Sequence, residues 1–160
     1  MRDVCLWLFP QEKTLFFIRT AFRIFLLTVL LVTHSSFANA EKSDISVLEA
    51  HQRAKSGDLV LVDIRAPKEW SQSGVPASGQ LITMYQRGDK FLAAIKKATG
   101  GDASKPVALI CATGVRSLRL QNALQRAGYK NVINVLGGMF GTSSNQGWIK
   151  AGLPVSKFKR

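Results

Sequence analysis

Histidine and cysteine, on which most metal sites and nucleophilic dyads are built, are nearly absent from this sequence. Its 160 residues hold two of each: His34 and His51, Cys5 and Cys111. They show no zinc-type spacing, so the ligand count for a metal is not reached and none is expected. Acidic residues are scarce as well, 10 against 22 Lys and Arg, for a formal net charge of +12. Such a balance draws small oxyanions, acidic partners or phosphate groups without choosing among them. No aromatic-interleaved basic ribbon is present, so no nucleic-acid partner is expected. There is no phosphate-binding P-loop pattern, and Gly137-Gly138 reads as a turn. Internal repeats and low-complexity segments are also missing, and the length suits one domain and little more.

Long hydrophobic runs are missing too. Arg19 and Arg23 precede a short apolar run, Ile24 to Val32, broken only by Thr28. It is too short for a comfortable membrane span. Ala38-Asn39-Ala40 then supplies the small-x-small pattern of a signal-peptidase site. Residues 1–40 therefore read as a signal peptide cleaved after Ala40, and residues 41–160 as the folded domain. The destination is the periplasm or the exterior, with no stable membrane insertion after cleavage. An uncleaved N-terminal anchor is the alternative. Four Lys/Arg and two Asp/Glu fall in the leader, which leaves about +10 on the domain.

Cleavage would leave Cys111 as the only cysteine, with neither an internal disulfide nor a Cys-x-x-Cys pair. A lone thiol in an oxidising compartment is exposed to oxidation and mispairing, so use explains it better than packing does. Its surroundings agree. Val107-Ala108-Leu109-Ile110 is an apolar run typical of a buried parallel strand. Beyond Cys111, Leu120, Ala123, Leu124 and Ala127 recur at helical spacing, and Gly128 stands where a helix ends. A loop between strand and helix turns backbone N–H groups inward, and the helix dipole adds positive potential. Gly114 supplies backbone freedom and Arg116 a fixed positive charge. Such a setting lowers a thiol pKa and holds an anionic group on the sulfur.

The rest of the chain alternates strands with helices. A first helix is expected from Ile45 to Gly57, then a strand from Leu59 to Ile64 and a helix opened by Pro67. A short strand is expected at Leu81–Met84, and a helix through Phe91, Leu92, Ile95 and Ala98. A last strand at Val132–Leu136 and a short helix around Trp148 complete the order. This pattern predicts an α/β domain, a mostly parallel central sheet with helices on both faces. Cys111 falls at the carboxyl end of a strand, where such sheets bind ligands. His51 is expected on the surface of the first helix, away from Cys111, so no general base is visible. Trp70 and Trp148 read as core or rim residues.

Three motifs in order carry a family resemblance. Cys111-Ala112-Thr113-Gly114-Val115-Arg116-Ser117 is similar to the active-site loop of the rhodanese, or sulfurtransferase, domain. Asp63-Ile64-Arg65 with Glu69-Trp70 resembles its Asp-x-Arg…Glu-Trp signature. Gly137-Gly138, followed by Trp148 to Val155, resembles its C-terminal signature. The resemblance spans about residues 45 to 157. It implies a single rhodanese-like domain that moves sulfane sulfur from a small anionic donor such as thiosulfate. The acceptor would be cyanide, a thiol or a protein thiol. Cys111 would be catalytic through a persulfide, with no cofactor, and Ala112 to Ser117 would form the binding loop. In that loop Thr113 and Ser117 would offer hydroxyl donors, and Arg116 would stabilise donor and persulfide charge. Asp63, Arg65 and Glu69 would be structural, with Arg65 pairing with Asp63 or Glu69.

Phosphatases and arsenate reductases on a similar scaffold carry one more residue between cysteine and arginine than the four found here. A relay or docking module acting through a protein partner is the other alternative. Two departures stand out. Ser73-Gly74-Val75-Pro76 replaces a Gly-His-x-Pro-like segment, and the gap from Gly138 to Trp148 is long. The extra residues, Thr142 to Gly147, are polar and flexible in composition, and the resemblance places them near the active-site mouth.

Overall fold

The computed structural model describes residues 44–126 and 128–159. The expected signal peptide and its cleavage site lie outside them. In chain order the elements are β1 (Asp44–Ile45), α1 (Val47–Ser56), β2 (Val60–Asp63), α2 (Pro67–Ser73), β3 (Val75–Pro76), β4 (Gln80–Leu81), α3 (Gly88–Ala98), β5 (Val107–Ile110), α4 (Val115–Arg126), β6 (Val132–Val135) and β7 (Val155–Ser156). Five strands form one sheet in the order β1-β6-β5-β2-β4, with every pairing parallel. β3 and β7 form a separate antiparallel pair. Among the described residues no helix is long and apolar enough to cross a membrane.

The strands are apolar runs because both faces of the sheet are covered. Successive side chains alternate between the faces and build two cores. Leu59, Leu61, Ala108, Ile110, Ile133 and Val135 meet Val47 and Ala50 of α1, together with Met139 and Trp148. Val60, Val62, Val107, Leu109 and Val132 meet Phe91 and Ile95 of α3 and Leu124 of α4. The chain leaves β2 toward β4 but leaves β5 toward β6 on the opposite side. The sheet order therefore reverses between β2 and β5, and at such a crevice open α/β sheets bind ligands. Asp63 and Cys111 sit at its two lips.

Two polar side chains interrupt the buried strands, Asp63 and Asn134. Asp63 and Arg65 are both 0% exposed. The Arg65 Nε donates to both Asp63 oxygens at 2.9 and 3.0 Å, and Nη2 donates at 2.7 Å. Its remaining donors reach Ser73 Oγ at 2.7 Å and the Gly74 carbonyl at 2.8 Å. Arg65 thus ties the end of β2 to the end of α2, and its partner is Asp63, not Glu69. Gly74 is constrained by β7: at φ +73°, an added Cβ would run into Val155 and the Ser156 carbonyl.

Several elements differ from the sequence expectations. Ile45 is not helical; it belongs to β1, with Asp44 opposite Asn134 and Ile45 opposite Val135 in parallel register. The helix starts afterwards, because the Ser46 hydroxyl accepts the Glu49 N–H at 3.2 Å and caps it. The strand expected at Leu81–Met84 shrinks to Gln80–Leu81. Residues around Trp148 form turns rather than a helix, closed by Ala151 N–H to the Gly147 carbonyl at 2.9 Å. His51 is not a surface residue. It is half-buried and meets the Trp148 ring edge-on, with centroids 5.5 Å apart.

Replacing one member of a buried ion pair leaves the other charge uncompensated. Asp63→Ala is expected to cost about 3–5 kcal/mol of stability, read by urea unfolding. A loss below about 1 kcal/mol would mean that the pair does not brace the fold.

Candidate active site

The loop from Cys111 to Ser117 leaves the central strand and enters α4. Gly114 lies at φ +96°, and an added Cβ would press on the Gly137 nitrogen and the Val135 carbonyl at 3.3 Å. From the other side the chain clasps the loop. The Met139 N–H donates to the Cys111 carbonyl and the Phe140 N–H to the Ala112 carbonyl, both at 2.9 Å. Gly138, at φ +55°, lets the clasp come this near; a Cβ there would strike the Cys111 carbonyl and the next peptide. Gly137-Gly138 is therefore the support of the loop as well as a turn.

These contacts gather donors around one sulfur. The Gly114 N–H donates to Cys111 Sγ at 3.2 Å, and Ser117 Oγ lies 3.4 Å away. Burial pushes the Cys111 thiol up. The Ser117 hydroxyl and the N–H groups of Ser117, Thr113 and Gly114 outweigh it, so the thiol pKa ends below its ordinary value. Thr113 has an exposed side chain and serves the sulfur through its backbone. Cys111 is 0% exposed, covered by the loop and its neighbours. Ala112 is half-buried at the clasp, and Val115 projects outward, 53% exposed.

Arg116, expected to stabilise donor and persulfide charge, is engaged by two side chains in this structure. Its Nη2 donates to Glu69 Oε1 at 2.6 Å and its Nη1 to Glu69 Oε2 at 2.9 Å. Nη1 also donates to the Tyr85 hydroxyl at 2.9 Å. The bidentate bond fixes the guanidinium plane and matches its charge. Glu69 further accepts the Ala66 N–H at 3.0 Å, closing the start of α2. One carboxylate thus joins α2 to the active-site loop. The Arg116 hydrogen bond, opposed by partial burial, holds the Glu69 carboxyl below its ordinary range.

Sequence reasoning missed Tyr85, which lies in a segment without periodicity and offers no local signal beyond its ring. It also missed Asn134, although a polar residue inside an apolar strand was a visible irregularity. Thr142 to Gly147 starts directly after the clasp and is internally tied. The Thr142 hydroxyl accepts the N–H groups of Ser144 and Asn145 at 3.3 and 3.0 Å, and the Thr142 N–H donates to the Asn145 carbonyl at 2.9 Å.

Sequence comparison agrees with this geometry. The family model of the Rhodanese-like domain matches residues 46–145, and the chain belongs to that family. An uncharacterized protein of Rickettsia prowazekii is 31% identical over 109 residues, covering 62% of this chain and 84% of the relative. A sulfurtransferase of Allochromatium vinosum is 30% identical over 102 residues, covering 64% and 82%. The solution structure of the polysulfide-sulfur transferase homodimer from Wolinella succinogenes aligns with a TM-score of 0.55 at 29% identity, covering 74% of this chain and 81% of that one. The chain is an α/β rhodanese-like domain of the sulfurtransferase-like superfamily.

The Glu69–Arg116 pair has a defined pH dependence. A carboxyl with a lowered folded pKa adds stability above its unfolded pKa, and this is lost as the pH falls through the folded value. Both side chains are partly exposed, so the contribution is under about 1 kcal/mol. Glu69→Gln is expected to be slightly less stable than the parent at neutral pH and equal to it in acid. Unfolding curves across pH read this; a difference that persists at the acid end would contradict it.

Proposed function

We propose that this chain is a sulfurtransferase that carries sulfane sulfur as a persulfide on Cys111. The observation that carries the reading is the turn of loop N–H groups toward Sγ, with the Gly114 N–H donating at 3.2 Å and the Ser117 oxygen within 3.4 Å. Such donors favour the thiolate and afterwards accept the charge on a bound outer sulfur. The thiolate attacks the outer sulfur of a donor such as thiosulfate. A new S–S bond forms, the bond to the sulfite group breaks, and sulfite leaves with the electron pair. Cyanide, a thiol or a protein thiolate then attacks the outer sulfur, and the Cys111 thiolate is released. Arg116 serves this chemistry by shaping the loop through Glu69, since its charge is already matched.

The names of the Allochromatium and Wolinella relatives support the reaction class. The four residues between Cys111 and Arg116 favour a sulfur-sized cradle over the larger loop of the phosphatases. Outside the fold, the reading keeps residues 1–40 as a cleaved export signal and the periplasm as the place of action. A relay to a protein acceptor gains support from one observation. Tyr85, Val115, Leu118 and Phe140 are exposed on segments bonded to the loop or adjoining it. A relay would show slow thiosulfate-to-cyanide turnover but fast persulfide transfer to one protein.

Cys111→Ala is expected to lower thiocyanate formation from thiosulfate and cyanide by at least about a thousandfold, to the level without protein. A variant that retains turnover would refute the assignment of Cys111.

A further inference from the structure

Of the two buried polar side chains in the described strands, Asp63 is closed in an ion pair with Arg65, and Asn134 is left without a role in the sulfur chemistry. It is 2% exposed, in the middle of β6, on the sheet face that α4 covers. A polar side chain at such a place is costly unless its groups are bonded. Both groups are. Asn134 Nδ2 donates to the Asp44 carboxylate at 2.9 Å, across the β1–β6 register. That bond fixes the amide, so Oδ1 faces α4, where the Ser117 hydroxyl lies 2.7 Å away.

Ser117 has one hydroxyl proton and three acceptors. Asn134 Oδ1 is the nearest at 2.7 Å, the Gly114 carbonyl is at 3.0 Å, and Cys111 Sγ is at 3.4 Å. We infer that Asn134, held by Asp44, is a positioning residue that withholds the Ser117 proton from the Cys111 sulfur. With the proton on Asn134, the Ser117 oxygen presents its lone pairs to Sγ, which suits a protonated thiol. A thiolate needs the reverse: the hydroxyl must turn to sulfur and leave a buried amide oxygen without its donor. The carboxylate strengthens the competition by polarising the amide. In the persulfide the charge sits on the outer sulfur, so Sγ no longer needs the proton and it can return to Asn134. The arm therefore disfavours the bare thiolate relative to both the resting thiol and the loaded form.

The charged groups at this end of the sheet are otherwise engaged. Glu69 of α2 is paired with Arg116 of α4, and Asp63 with Arg65 after β2. The face of α3 packed on this core is apolar, with Phe91, Leu92, Ala94, Ile95 and Ala98. Asp44 is joined to the sulfur by hydrogen bonds through Asn134 and Ser117.

The inference rests on the proposed reading only in taking Cys111 as the group that matters, and its test uses no sulfur transfer. The pH profile of iodoacetamide alkylation at Cys111 is measured on the full chain, read on the peptide that carries it. Asn134→Leu, nearly isosteric but unable to accept, is expected to lower the midpoint by about half a unit or more. Ser117→Ala is expected to raise it, and the double variant to match Ser117→Ala alone. Asp44→Ala, on a half-exposed edge strand, keeps the test valid if Asn134→Leu does not fold. It is expected to give a smaller fall that disappears without Ser117. A midpoint that is unchanged or raised in these variants would overturn the inference, as would a fall that persists in the Ser117→Ala background. A role in packing alone would not move the midpoint through Ser117.

Discussion

The structure depends on holding one sulfur at the end of the central strand, inside a loop whose N–H groups face inward. A strand that ended and a helix that began without such a turn would leave Cys111 a buried apolar thiol. Two left-handed glycines make the turn possible for different reasons. Gly114 bends the loop itself, and Gly138 lets the following segment press against its outer side. The hydrogen bonds from Met139 and Phe140 then leave the Cys111 and Ala112 carbonyls committed outward, so the peptide N–H groups between them and the helix remain for the sulfur. This arrangement opposes the cost of burying a charge with donors already in place.

Around that turn, three ties set the positions of the elements. Arg65 and Asp63 fix the end of α2 relative to β2, completely out of water. Glu69 and Arg116 fix α2 relative to the loop, partly in water. Asn134 and Asp44 tie β6 and β1 to Ser117. The inner tie is a constraint on folding, because a broken buried pair is expensive. The half-exposed tie contributes little energy but fixes orientation through a planar, bidentate bond. The polar tie ends at Ser117, whose oxygen lies 3.4 Å from Cys111 Sγ. The groups around the sulfur are thus neutral donors and closed ion pairs.

Much of the fold was legible because parallel strands buried on both faces read as apolar runs and helices as spaced stripes. β5, β6, α3 and α4 were visible in this way, and the motif order placed the family. Of the elements two residues long, only β4 was visible, and it was expected to be longer. β1 merged with the start of α1, since Ile45 continues the apolar spacing of Val47 and Leu48. β3 contains Pro76, which argues against a strand unless it lies in a small edge pair. In the site, the spacing of the Cys111 loop was local and readable. The partners of Arg116 were not, because Glu69 and Tyr85 come from 47 and 31 residues away. His51 was misplaced for the same reason: its neighbour Trp148 is distant in sequence, and one polar side chain on a helix looks exposed until its packing is known.

The most direct test of the central claim is the intact mass of the reduced protein after thiosulfate, and again after cyanide, with the modified residue located by peptide mapping. One sulfur atom gained on Cys111 and then lost to cyanide is the predicted result. A protein that gains no sulfur there from thiosulfate, polysulfide or another sulfane donor would contradict the account, however well its loop matches the family.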